Sequence, residues 1–209
     1  MFVMSAIFGG FALVLAGHWL LKGSRHSLSI GFCVLIASVF GGLTWREMRL
    51  EAELAEVVAI VSGVPAAEVE CQGFLREFRL DNNLGEVAFD GRGGVSRTAQ
   101  LRGSVCDRIR DWRGAGFGVD DWDQVVAVHV LSHEAIHVSG VTSEARTECL
   151  AMQSNATVAE LLGATPQQAV ALAETYWEDV FPRMPGSYRA SDCYEDGELD
   201  QTSGDGIWP

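Results

Sequence analysis

His133, Glu134 and His137 form an H-E-x-x-H run inside the stretch Val130-Leu131-Ser132-His133-Glu134-Ala135-Ile136-His137. Two histidines four residues apart on a helix project from one face, about one turn apart. Both imidazoles can then reach a single metal ion at about 2.0–2.1 Å. Glu134, one residue on, is rotated by roughly 100° around the helix. It therefore flanks the ion without replacing an imidazole, and can act as general base toward water that the metal activates. Neutral imidazoles suit zinc, and a carboxylate not spent on the metal is free to shuttle protons.

A helix must position these three side chains. Asp121 followed by Gln124 predicts an N-terminal capping box. Val125, Val126, Val128, Leu131, Ala135, Ile136 and Val138 then make the helix apolar around most of its surface, and Gly140 ends it as a residue of positive φ would. Histidine and glutamate in so apolar a helix are costly unless something satisfies them. A metal ion would do so; hydrogen-bonded core histidines are the alternative. His129 lies one turn before His133 on the same face. Three histidines along one helix cannot all reach one ion, so His129 is read as a satisfied core residue.

A third ligand is expected nearby. Thr142 or Ser143 can cap a second helix, and the tight turn at Gly140 and Val141 folds the two helices into an antiparallel hairpin. That fold sets Glu144 opposite His137 and Glu148 opposite His133. Here the sequence resembles the zincin metallopeptidases, in particular the gluzincins, in which HExxH is followed on a later helix by ExxxD. This chain has Glu144-x-x-x-Glu148, with Glu for Asp and a short spacer. The resemblance implies that Glu144 is the third metal ligand and that Glu148 supports His133 from behind; the two roles can be exchanged. The metzincin pattern HExxHxxGxxH is not met, because Ser143 stands at its third histidine. The resemblance covers Val125 to Gln153. The wider layout is also similar to that of bacterial proteins with a membrane anchor, an HExxH-Glu core and a short Cys-containing tail.

The chain has 209 residues, enough for one ordinary domain and an appendage. Residues 1–21 carry no charged side chain, and neither do residues 28–45. Each run is long enough to cross a bilayer as a helix, so residues 1–45 are expected to be two transmembrane helices in membrane lipid. Lys22 and Arg25 between them place that loop in the cytoplasm by the positive-inside rule and the large C-terminal part outside. A signal peptide or a buried soluble hairpin are the alternatives. Cys71, Cys106, Cys149 and Cys193 fit an extracytoplasmic domain with two disulfides. Cys71–Cys106 and Cys149–Cys193 is the preferred pairing, since the first brackets a local unit and the second ties the tail to the metal helices. After residue 45 the chain has 13 basic and 28 acidic side chains, a net charge of −15. So acidic a domain is not expected to bind nucleic acid.

Taken in order, residues 46–64 read as a helical stalk with an apolar stripe at Leu50, Leu54, Val57, Val58 and Val61. Residues 65–181 form the metal-binding domain. Within it, residues 65–79 read as a short helix carrying Cys71, and 81–85 as a turn. Residues 86–90 and 95–101 are strands joined by a turn at 91–94. A helix from Ser104 carries Cys106, and a glycine-rich connection leads to the metal helix. Thr165, Pro166 and Gln168 open a further helix, which buries Ala169, Leu172, Ala173, Tyr176 and Val180. Residues 182–209 are an irregular Cys-containing tail. The expected fold class is α+β, mostly α: a transmembrane helical hairpin followed by a small zincin-like domain with a metal-carrying helix hairpin and a short β-hairpin. Tyr176 and Tyr188 can donate to an oxyanion but read more simply as packing residues. Two functions are compatible with this layout. One is a zinc-dependent peptidase acting on a peptide or protein outside the cytoplasmic membrane, with Glu134 catalytic and His133, His137 and Glu144 on the metal. The other is a non-catalytic, zinc-stabilised binding or scaffold protein.

Overall fold

The computed structural model describes residues 2–22, 27–73, 83–90, 94–204 and 208. The Lys22–Ser27 loop with Arg25, the expected helix over 74–79, the turn residues Asp81 and Asn82, and the turn at 91–93 fall wholly or mostly outside them. The chain divides into two compact units, Met1–Leu50 and Glu51–Pro209.

The first unit consists of α1 (Phe2–Lys22) and the start of α2 (Ser27–Ser62). Both uncharged runs are thus helical. Many of their large apolar side chains are exposed, among them Phe11, Leu13, Val14, Phe32 and Leu35. By length and composition, one helix among the described residues can cross a membrane, the stretch Ser29–Ser62; Ala6–Trp19 is a shorter apolar helix. The helix α2 stops where Gly63 takes a φ of 70° ahead of Pro65.

In the second unit, the end of α2 buries Leu54, Val57 and Val58 at helical spacing. A three-stranded sheet follows: β1 (Glu68–Gln72), β2 (Gly85–Phe89) and β3 (Val95–Arg102), in the order β1-β3-β2. The hairpin β2–β3 is antiparallel with a register shift between Val87 and Phe89, and β1 pairs parallel to β3 from Glu68↔Thr98 to Gln72↔Arg102. The segment around Cys71 is therefore a strand and not the expected helix. Val69 is buried between the exposed Glu68 and Glu70, a two-residue alternation that the sheet rewards. Helix α3 (Gly103–Gly114) follows β3 directly, and the Cys71–Cys106 disulfide joins it to β1. Trp112, fully buried, donates from Nε1 to the Gly118 carbonyl at 2.8 Å.

The core is built on α4 (Trp122–Val138), which is buried at almost every position from Val125 to Val138. It packs against α3, the sheet and α5 (Glu144–Leu161). Each buried Val, Leu or Ile contributes about 1.5–3 kcal/mol, so this helix is fixed by its surroundings on all sides. Its cap differs from expectation: the Asp121 carboxylate accepts from the Asp123 amide at 3.0 Å, while the Gln124 amide goes to the Asp121 carbonyl. Gly140 takes a φ of 105° and turns the chain into α5. Helix α6 (Pro166–Thr175) has the reciprocal capping box of Thr165 and Gln168. It runs into one π-helical turn, Tyr176–Val180, then 3-10 turns at Phe181–Arg183 and Gly186–Tyr188. The second disulfide, Cys149–Cys193, ties this irregular tail to α5.

Candidate metal centre

The α4–α5 hairpin brings three ligand atoms together. His133 Nε2 lies 3.1 Å from Glu144 Oε2, and His137 Nε2 lies 3.4 Å from the same oxygen. Ligand atoms about 2.0–2.1 Å from a tetrahedral ion stand about 3.3 Å apart, so these separations fit one ion held by all three. The backs of the rings set their tautomers. His137 Nδ1–H donates to the Val141 carbonyl at 2.7 Å, and His133 Nδ1–H donates to Glu148 Oε2 at 3.1 Å. Each ring thus turns its Nε2 toward Glu144, the nitrogen that a metal would take once it carries no proton. Phe89 on β2 meets His137 edge-on, with ring centroids 5.4 Å apart.

Behind His133 lies a buried polar network. Glu148, 1% exposed, accepts on Oε2 from His133 and from His129 Nε2 at 3.1 Å, and on Oε1 from the Tyr176 hydroxyl at 2.6 Å. The other His129 nitrogen lies 3.1 Å from Asn155 Oδ1, and the His129 ring stacks on Tyr176 at 3.6 Å. Turning the Asn155 amide end for end lets it donate to His129 Nδ1 and gives its otherwise unpartnered Nδ2 a bond. His129, His133 and Glu148 also bear donor atoms close enough to share an ion, but those atoms already hydrogen-bond one another. The sequence reading missed Asn155 as a partner, although it follows Glu148 by seven residues and so lies on the same face of α5. It also treated Tyr176 as packing, whereas Tyr176 is the third donor to Glu148.

Glu134 has a different environment. It is 4% exposed, and its Oε2 has no hydrogen-bond partner. Nothing in the sequence marks Gly85, at the start of β2, yet a Cβ built there would stand 2.6 Å from Glu134 Oε1. Burial pushes the Glu134 carboxyl up to about 7, against the opposing charge of His133 and with help from Glu144 and Glu86. Burial alone would lower His133, but hydrogen bonds to Glu144 and Glu148 and the charges of Glu134 and Glu148 raise it to about 9. Burial lowers His137. The hydrogen bond to His133 lowers Glu144. Glu148 would be raised by burial, but His129, His133 and Tyr176 hold it far below the usual carboxylate range. Burial and then the Glu148 charge raise Tyr176.

All of these acids and imidazoles line one cleft of about 510 Å³, walled by β2, α4 and α5 and by Met184 and Tyr188 of the tail. Among known proteins, no family model, curated protein or solved structure matches this chain. What the centre can do rests on its own donor set. Two buried imidazoles of fixed tautomer and one carboxylate could hold a metal ion. A second carboxylate beside them has no structural partner.

Proposed function

We propose that the chain is a membrane-anchored zinc metallopeptidase of the zincin type, hydrolysing peptide bonds outside the cytoplasmic membrane. His133, His137 and Glu144 hold the zinc, and Glu134 is the catalytic base. The observation that carries this reading is the Glu134 carboxylate, buried yet left without a hydrogen-bond partner beside three convergent ligands. An orphaned buried carboxylate costs stability, and a purely structural metal clip gains nothing from one. Two imidazoles and one carboxylate are also the ligand set of catalytic zinc sites that keep a position open. When bound, zinc supplies a Lewis acid that polarises a carbonyl and makes water acidic.

The chain's own residues do the rest. Glu134 Oε2 accepts a proton from the attacking water and passes it to the amide nitrogen as the bond breaks. A carboxyl whose affinity for protons lies near neutrality can both take and return one. Glu148 and the Val141 carbonyl keep His133 and His137 in the tautomer that leaves Nε2 free. Strand β2 is an edge of the sheet beside the cleft, where an extended peptide can add as a further strand. One long apolar helix near the N-terminus supports the membrane anchor, and the two disulfides support an external location.

A second reading, a zinc-stabilised scaffold, is favoured by one feature: Met184 and Tyr188 of the disulfide-held tail form part of the cleft wall. The Glu134→Gln variant separates the two. On the peptidase reading it keeps about one zinc per chain and loses proteolysis of an unstructured test protein. A wild-type protein that holds zinc but cleaves nothing, even after removal of residues 182–209, is a scaffold.

A further inference from the structure

The cleft carries more negative charge than its metal would balance. Glu86, Asp123, Glu134, Glu144 and Glu148 line it, and with Asp123 paired to an arginine four carboxylates stand against the two positive charges of a zinc ion. Arg108, which also lines it, is neutralised by Asp123 at 2.7 Å. Three of the four carboxylates have work at the centre: Glu144 on the histidines, Glu148 behind His133, Glu134 beside them. Glu86 has none. It sits exposed on β2, next to Gly85, and among the described residues its carboxylate makes no hydrogen bond or ion pair.

A separate observation shows that the cleft expects a ligand. Glu134 lines the same space, and its Oε2 is buried without a partner, a polar group that nothing in the chain satisfies. Val87, Phe89, Val126 and Met184 give the cleft apolar walls. A ligand matching both wall and charge has an aliphatic stem ending in a cation, the build of lysine and arginine side chains.

We infer that the cleft selects peptides carrying a Lys or Arg side chain beside the bond to be cut, with Glu86 as the specificity-determining residue. The inference rests on the metallopeptidase reading. An exposed carboxylate–cation pair of this kind changes affinity by about two- to fivefold, and salt weakens it.

The test uses the full chain, zinc-loaded, in detergent. Four fluorescent peptides share one length and sequence: N-acetylated and C-amidated versions with Arg, Gln or Glu at one position, and the Gln version with a free N-terminus. Binding is read by anisotropy on Glu134→Gln, and cleavage on the otherwise unaltered chain. The blocked Arg peptide is expected to bind and be cleaved about two- to fivefold better than the blocked Gln peptide, with the Glu peptide weakest. Glu86→Gln should abolish the difference and Glu86→Lys reverse it. Blocked Arg and Gln peptides binding within twofold of each other would overturn the inference, as would a preference that survives in Glu86→Gln. A gain confined to the free N-terminus would also overturn it, by making the chain's amine the recognised cation. Arg-selective binding without any cleavage leaves charge selection standing and removes the peptidase reading. Cleavage without charge preference does the opposite.

Discussion

Replacing Gly85 by alanine should switch off catalysis without touching the metal. An alanine Cβ at this position stands 2.6 Å from Glu134 Oε1, 2.7 Å from its Cγ and 2.8 Å from its Cδ, where ordinary contact begins at 3.4 Å. The Glu134 side chain must therefore retreat by about 0.6–0.8 Å, a shift comparable to the misplacement of about 1 Å that costs roughly 100-fold in rate. Turnover of a fluorogenic peptide should fall roughly 10- to 100-fold. The three atoms nearest the new methyl all belong to Glu134, so zinc content should stay at about one per chain. On a Glu134→Gln background the same change should produce no further loss. Wild-type turnover in Gly85→Ala would refute the reasoning, because a carboxylate that can be displaced without consequence is not the base. Loss of zinc would refute it differently, by showing that the strand and not Glu134 absorbs the clash.

Metal uptake should release protons. His133 is raised to about 9 by its two carboxylate partners, so below that pH both of its nitrogens carry protons, and a metal must expel the one on Nε2. At pH 8, where Glu134 at about 7 is mostly ionised, about 0.9 proton per zinc should come from His133. That release should fall toward zero above about pH 10, as calorimetry in buffers of different ionisation enthalpy would show; release that does not change with pH would contradict the assignment. Tyr176→Phe removes the donor to Glu148 Oε1 and leaves a buried carboxylate oxygen unpaired, which should cost about 1–3 kcal/mol in denaturant unfolding while zinc still binds. Cys149→Ser with Cys193→Ser opens a loop of 44 residues and should lower unfolding stability by up to about 4 kcal/mol. Reductant should do the same to the parent chain, and an equal midpoint with and without reductant would remove the disulfide from the account.

The metal hairpin was the most legible part of the sequence because its signals are local. The spacing of His133 and His137, the stop at Gly140 and the acids at Glu144 and Glu148 are all set within one turn of chain, and helical geometry alone carries them into place. The disulfide partners followed from the order of the chain. The helix expected around Cys71 failed for the opposite reason. Five residues, Glu68 to Gln72, become a strand through parallel pairing with β3, some thirty residues on, and local pattern is a poor guide to so distant a partner. Gly85 was invisible for a related cause. What matters there is the absence of a side chain opposite Glu134, a contact between elements that are far apart in sequence. Asn155 and Tyr176 could not be connected from sequence, since the His129–Glu148 network they join is known only once α5, α6 and α4 are packed.

The Cys71–Cys106 bond also has a mechanical meaning. Tension on α2 that outlasts the packing of its own buried end passes to β1, the next element of the chain. Parallel strands such as β1 and β3 resist such a pull only through backbone hydrogen bonds along five paired positions. The disulfide bypasses them, since it passes force from the end of β1 straight to α3 through covalent bonds. The α4–α5 hairpin and the β2–β3 pair lie outside that route. A pull on α2 is thus grounded in α3 before it can shear the strand that borders Glu134.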